Sequence, residues 1–92
     1  MYIMLLHLKR CDIGVVEMVT NLRNNICYLR RRDGLTQVEM AKILGICVAT
    51  YRKIEKMEPT VRLHGQIILR VSRYFHYSVD DLILLDLSRE VH

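Results

Sequence analysis

Residues 35–56 read LTQVEMAKILGICVATYRKIEK. The stretch divides at Gly45. Before it, Thr36 and Glu39 stand at the spacing of a capping box, so a helix is expected to open at Thr36. Met40, Ala41 and Leu44 form its inner face, Gly45 ends it, and Ile46 is the apolar plug of the turn. A second short helix is expected over about 48–57, with Pro59-Thr60-Val61 marking a loop.

The second helix has two unlike sides. With Val48 at zero and ~100° per residue, Arg52 falls near ~40°, Lys56 near ~80°, Ala49 near ~100° and Lys53 near ~140°. Thr50, Ile54 and Tyr51 fall near ~200°, ~240° and ~300°. One side therefore buries Ile54 and part of Tyr51. The other carries two small apolar side chains and three cations, with Glu55 at its edge near ~340°. Beside a duplex, Val48 and Ala49 would let the helix N-terminus approach base edges and thymine methyls. Arg52 or Lys53 would reach guanine O6 and N7. Lys56, further back, suits a phosphate. Two short helices joined through a tight glycine turn fit a helix-turn-helix. Thr36 and Gln37 lie at the N-terminus of its first helix, where backbone N–H groups favour phosphate.

The rest of the chain frames this pair. Val15, Val19, Leu22, Ile26 and Leu29 make one apolar stripe, expected on a helix over about 13–32 that Asp12 caps. Asp33-Gly34 stops it, and Arg30, Arg31 and Arg32 suit its negative end. A fourth helix is expected over about 62–75, turning Ile67, Ile68, Val71, Tyr74 and Phe75 inward. Ser78 caps a fifth, with Asp80 and Asp81 in its first turn. Residues 2–8, YIMLLHL, are either a strand or an apolar turn of helix. Met18 is an alternative start. The expected organisation is an N-terminal extension over 1–17, a helical domain over 18–88 and a tail over 89–92.

The totals agree with one small all-α domain. The chain has 92 residues, 51% of them hydrophobic, with one proline and a net charge of +4. That mild basic excess permits a polyanionic partner. Cys11, Cys27 and Cys47 are an odd set without Cys-x-x-Cys spacing, so buried, reduced thiols are expected rather than disulfides. His7, His64, His76 and His92 do not stand at metal-ligand spacing with them, and no metal or cofactor is expected. The apolar start is too short to span a membrane and lacks the marks of a secretory signal, so a cytoplasmic location is expected. No Ser–His–Asp arrangement, paired catalytic carboxylates or phosphate-cradling glycine loop stands out, so an enzyme is not expected.

The runs LRRRDGLTQVEMAKILGI, ATYRKIEK and RYFHYSVDDL resemble the phage repressor and Cro family of helix-turn-helix regulators, over about residues 19–85. The resemblance implies a five-helix, lambda-repressor-like domain binding a palindromic operator as a homodimer, with residues 48–56 as recognition helix. It implies base contacts at Val48, Ala49, Arg52 and Lys53. It implies phosphate contacts at Thr36, Gln37, Lys56, Arg62 and His64, and an Arg30–Glu55 ion pair. Three departures stand out. Cys47 replaces the usual Ser or Thr cap, Val48 and Ala49 replace residues that are often polar, and Met57 replaces the usual exit glycine.

LILLDL at 82–87 is more apolar than one inward face requires. Leu84, Leu85 and Leu87 either form a dimer seam or complete the core, and YIMLL is a second candidate for the seam. The expected function is a transcriptional regulator, acting as a repressor by occupying a promoter. The alternative is a helix-turn-helix protein-interaction module, such as the antitoxin of a toxin–antitoxin pair.

Overall fold

The computed structural model describes residues 18–89, and every regular element among them is helical. Helix α1 covers described residues 18–32. It is followed by α2 (Gln37–Leu44), α3 (Val48–Glu55), α4 (Gly65–Phe75), α5 (Val79–Leu84) and a 3-10 turn (Leu87–Arg89). Asp12 and the expected start of the first helix near residue 13, Cys11, the 2–8 segment and residues 90–92 lie outside the described residues.

The core is one cluster to which every helix contributes. From α1 come Leu22, Ile26 and Leu29, from α2 Met40, Ala41 and Leu44, and from α3 Tyr51 and Ile54. From α4 come Ile67, Val71 and Phe75, spaced four apart, and Leu82 and Leu87 close the far end. Helix α2 packs on both α3 and α4, and α4 packs on α5.

Local chemistry accounts for the joints. Thr36 Oγ1 accepts from the Glu39 N–H at 3.1 Å, and the Glu39 carboxylate accepts from the Thr36 N–H at 2.9 Å, so the capping box is complete. Gly45 takes φ 73°, and its N–H closes the end of α2. The guanidinium of Arg70 lies 3.0 Å from where a Cβ at position 45 would stand, so a side chain there meets both backbone strain and a neighbour. Ile46 is half-buried against the core, as a plug should be. Ser78 caps α5 by accepting from the Asp81 N–H at 3.1 Å.

Three expectations are corrected. Tyr74 is exposed, edge-on to Phe75, because the Ile67–Val71–Phe75 stripe fills the inner face of α4 and Tyr74 lies at its rim. Helix α4 itself starts at Gly65 rather than near 62. The fifth helix ends at Leu84, and Leu87 is 2% exposed, so it completes the core and is not available to a dimer seam. The cause is two asparagines of α1. Asn21 Nδ2 donates to the carbonyls of Ile83 and Leu85, each at 2.7 Å. Asn25 Nδ2 donates to the carbonyls of Leu82 and Leu85, each at 2.7 Å, and its Oδ1 accepts from the Leu87 N–H at 3.1 Å. The last carbonyls of α5 are satisfied from outside, so the chain turns there and delivers Leu87 inward.

The exit from α3 keeps a left-handed residue although no glycine is present: Met57 has φ 61°. A left-handed methionine costs about 1–2 kcal/mol relative to a permissive residue. Met57→Gly is therefore expected to stabilise the fold by roughly 1 kcal/mol net, after the glycine's extra unfolded-state entropy. A denaturant midpoint that falls instead would show that apolar contact of the Met57 side chain outweighs the strain.

Candidate nucleic-acid interface

Helix α3 is held by its inner side. Tyr51 and Ile54 are fully buried. Val48 is half-buried and packs on the core, because it lies only ~60° from Tyr51 around the helix. Ala49 is thus the exposed small side chain at the N-terminal end, and Val48 offers only part of its surface. Arg52, Lys53 and Lys56 are exposed. Further along, Arg62 and His64 are exposed, as is Thr36 at the start of α2.

Glu55 is the one acid of α3, and it is turned away from these cations. Its carboxylate takes the guanidinium of Arg30 through Nε at 2.6 Å and Nη2 at 3.2 Å. It also accepts from the Tyr51 hydroxyl and from Gln37 Nε2 at 2.9 Å. Side-chain exposure is 14% for Arg30 and 9% for Glu55, so this pair is shielded, unlike the near-neutral pairs on open surfaces. Arg30 also donates to the Leu35 carbonyl at 2.9 Å, tying the α1–α2 turn to the same centre. The ion pair expected from the resemblance is therefore present, and Tyr51 and Gln37 join it.

Gln37 has a second duty. Its Oε1 accepts from Arg52 Nε at 3.2 Å. A continuous chain of hydrogen bonds then runs from Arg30 of α1 through Glu55 and Gln37 to the exposed Arg52. Both ends of the Gln37 amide are used inside the protein, so its geometry orients Arg52. Only the second hydrogen of Nε2 is left for a phosphate. With Nε engaged by Gln37, the exposed Arg52 keeps its two terminal nitrogens as a fork, the shape that matches guanine O6 and N7.

Burial alone would raise the Glu55 carboxyl, but the hydrogen bonds from Arg30, Tyr51 and Gln37 overcome it and hold the group at about 2. A carboxylate depressed in the folded state stabilises above its unfolded value, about 4.3. That contribution is lost as pH falls from there through about 2. Stability is expected to drop by about 2 kcal/mol over this window after allowance for screening, and Glu55→Gln should flatten this limb. Denaturant midpoints measured from pH 5 to pH 2 on both proteins test it.

Cys47 is exposed, contrary to the expectation of a buried thiol, because a helix N-cap lies on the solvent side of the turn. It makes no capping bond, and its Sγ contacts the Thr50 hydroxyl at 3.1 Å. That contact lowers the thiol's pKa. Cys27 is half-buried, and burial followed by the nearby Glu55 charge pushes its thiol up. Cys47→Ser supplies a hydroxyl able to cap the α3 N–H groups and is expected to add about 1 kcal/mol of stability. An unchanged melting temperature would show that the Thr50 contact already serves this end.

The helix-turn-helix family model matches residues 28–82, more than half of the chain. The chain belongs to the Cro/C1-type helix-turn-helix family. No individual curated protein and no solved structure matches it. Membership makes the domain a DNA-binding transcription regulator of lambda-repressor-like fold. In a helix-turn-helix the second helix enters the major groove, which is α3 in this chain. No helix among the described residues is long and apolar enough to cross a membrane.

Sequence reasoning missed Arg23. It is 5% exposed, and it donates through Nη1 to the Glu58 carbonyl at 2.9 Å and through Nη2 to the Val61 carbonyl. Nothing in the residues around position 23 signals a contact with a loop 35 to 38 positions away. It also missed the relay through Gln37, whose position at the start of α2 suggested phosphate alone.

Proposed function

We propose that the domain represses transcription by seating α3 in the major groove of a palindromic operator, as a homodimer. Ala49, Arg52 and Lys53 read bases, with Val48 in van der Waals contact at the groove edge. Thr36, Lys56, Arg62 and His64 grip phosphates, and Gln37 steadies Arg52. One observation carries this reading: the outer face of α3 holds exposed Arg52 and Lys53 while its only acid, Glu55, is withdrawn into a network with Arg30, Tyr51 and Gln37. An ordinary solvated helix face mixes charges, whereas this one removes the charge that a phosphate backbone would repel.

Leu84 is 67% exposed and Leu85 36%, at the end of α5, and they are the seam residues that remain once Leu87 is assigned to the core. Two-fold pairing there would set half-sites about 34 Å apart, one helical turn. Selection of bound sites from random duplexes tests the reading in one experiment. Paired half-sites at that spacing, bound less tightly as salt rises, support it. A dimer that retains no duplex even at low salt overturns it in favour of a protein-interaction module.

A further inference from the structure

We infer that Arg23 is a positioning residue for the phosphate grip, fixing the backbone at 58–61 so that Arg62 and His64 are held against the duplex. The inference rests on the DNA-binding mode proposed above. Between α3 and α4 the half-buried Val61 and Leu63 side chains pack on the core, but the backbone has few bonds of its own. The segment begins at the left-handed Met57, and its N–H groups bond from Met57 to the Ile54 carbonyl at 3.2 Å, from Glu58 to the Lys53 carbonyl at 3.0 Å and from Val61 to the Glu58 carbonyl at 3.3 Å. Residues 59, 60, 62 and 63 make no backbone–backbone hydrogen bond among the described residues. Arg23 grips this segment at two carbonyls, Glu58 and Val61, from beneath. A planar guanidinium bonded at two points sets orientation as well as distance. The residue directly after the second point is the exposed Arg62, with exposed His64 two further on.

Filling space would not require a cation. An apolar side chain of similar length would occupy the same room without the cost of burying charge. What it would not do is hold those two carbonyls, and the backbone orientation at 58–61 would then be set only by the packing of Val61 and Leu63. Arg23 is on α1, which also supplies Arg30 to the α3 network, so one helix orients both the base-reading arginine and the phosphate-holding segment.

The test compares the full chain with Arg23→Met, Arg62→Gln and the double variant. Dissociation constants are measured over a salt series, on a duplex recovered by selection and on a scrambled one. Backbone order parameters of residues 59–63 are recorded by NMR. Arg23→Met is expected to weaken binding to both duplexes about equally, by roughly 10-fold, and to make the salt slope shallower by about one to two phosphate contacts. The ratio between duplexes should hold, and Arg62→Gln should add little in the Arg23→Met background. The order parameters should fall. Unchanged affinity and slope in a folded variant overturn the inference, and so do losses that add in full with Arg62→Gln. If Arg23→Met does not fold, Arg23→Lys keeps the charge and one donor. An intermediate slope with reduced order at 59–63 then supports the inference, and wild-type values overturn it. Failure of the underlying reading looks different: the wild-type chain itself then shows no salt-dependent binding to either duplex.

Discussion

Glu55→Ala is expected to cost about 3 kcal/mol of folding stability, because its shielded carboxylate holds three partners. The substitution strips Arg30 of its partner while leaving the guanidinium 14% exposed, and it also orphans the Tyr51 hydroxyl at the base of a fully buried ring. Small domains hold about 5–15 kcal/mol in total, so this loss is a large share. The denaturant midpoint should fall with little change in slope, which marks a loss of stability rather than a change in the unfolded chain. DNA binding should weaken as well, even where the variant is folded, because Gln37 loses the acceptor that aims it at Arg52. Glu55→Gln separates the two effects: it keeps the shape and one acceptor oxygen, and should lose less. A Glu55→Ala protein with the wild-type midpoint would mean that the buried pair is balanced by its desolvation cost.

Arg52→Ala is the second large expectation, and it acts on binding instead of folding. The side chain is exposed and among the described residues it bonds only to Gln37, so stability should hardly move. On a selected duplex the loss should be about 1–3 kcal/mol, roughly 5- to 150-fold. One guanine preference should relax at the same time. Parallel selection with both proteins measures both. Equal affinity before and after, with the same preferred sites, would remove Arg52 from base readout and leave Lys53 as the only long side chain able to fill that role.

The parts of the fold that the sequence made legible are those written in neighbouring residues. The Thr36–Glu39 box, Gly45 and the Ser78 cap each satisfy backbone groups within a few positions, so residue type and spacing suffice. The cationic side of α3 follows from helical angle, which leaves Glu55 at its edge; the withdrawal of Glu55 comes from its bonds to Arg30, Tyr51 and Gln37. The Arg30–Glu55 pair spans 25 residues and was legible only through likeness to a family. What escaped notice depends on contacts that no local pattern encodes. Leu87 looked like surplus apolar surface until Asn25 was seen to draw the backbone inward. Arg23 carries no local sign of its burial, although it is nearly sealed from water. At the candidate site the exposed cations were legible, but the way Gln37 spends its amide was not, since its two partners lie 15 and 18 residues downstream.

The asparagine clasp has a bearing on how the chain matures. Asn21 and Asn25 reach carbonyls 57 to 64 positions later, and Leu82 and Leu87 are the final pieces of the interior. Synthesis therefore delivers both helices of the helix-turn-helix, α2 and α3, before Leu82 and Leu87 exist to close the interior, and α1 stays unclasped until they do.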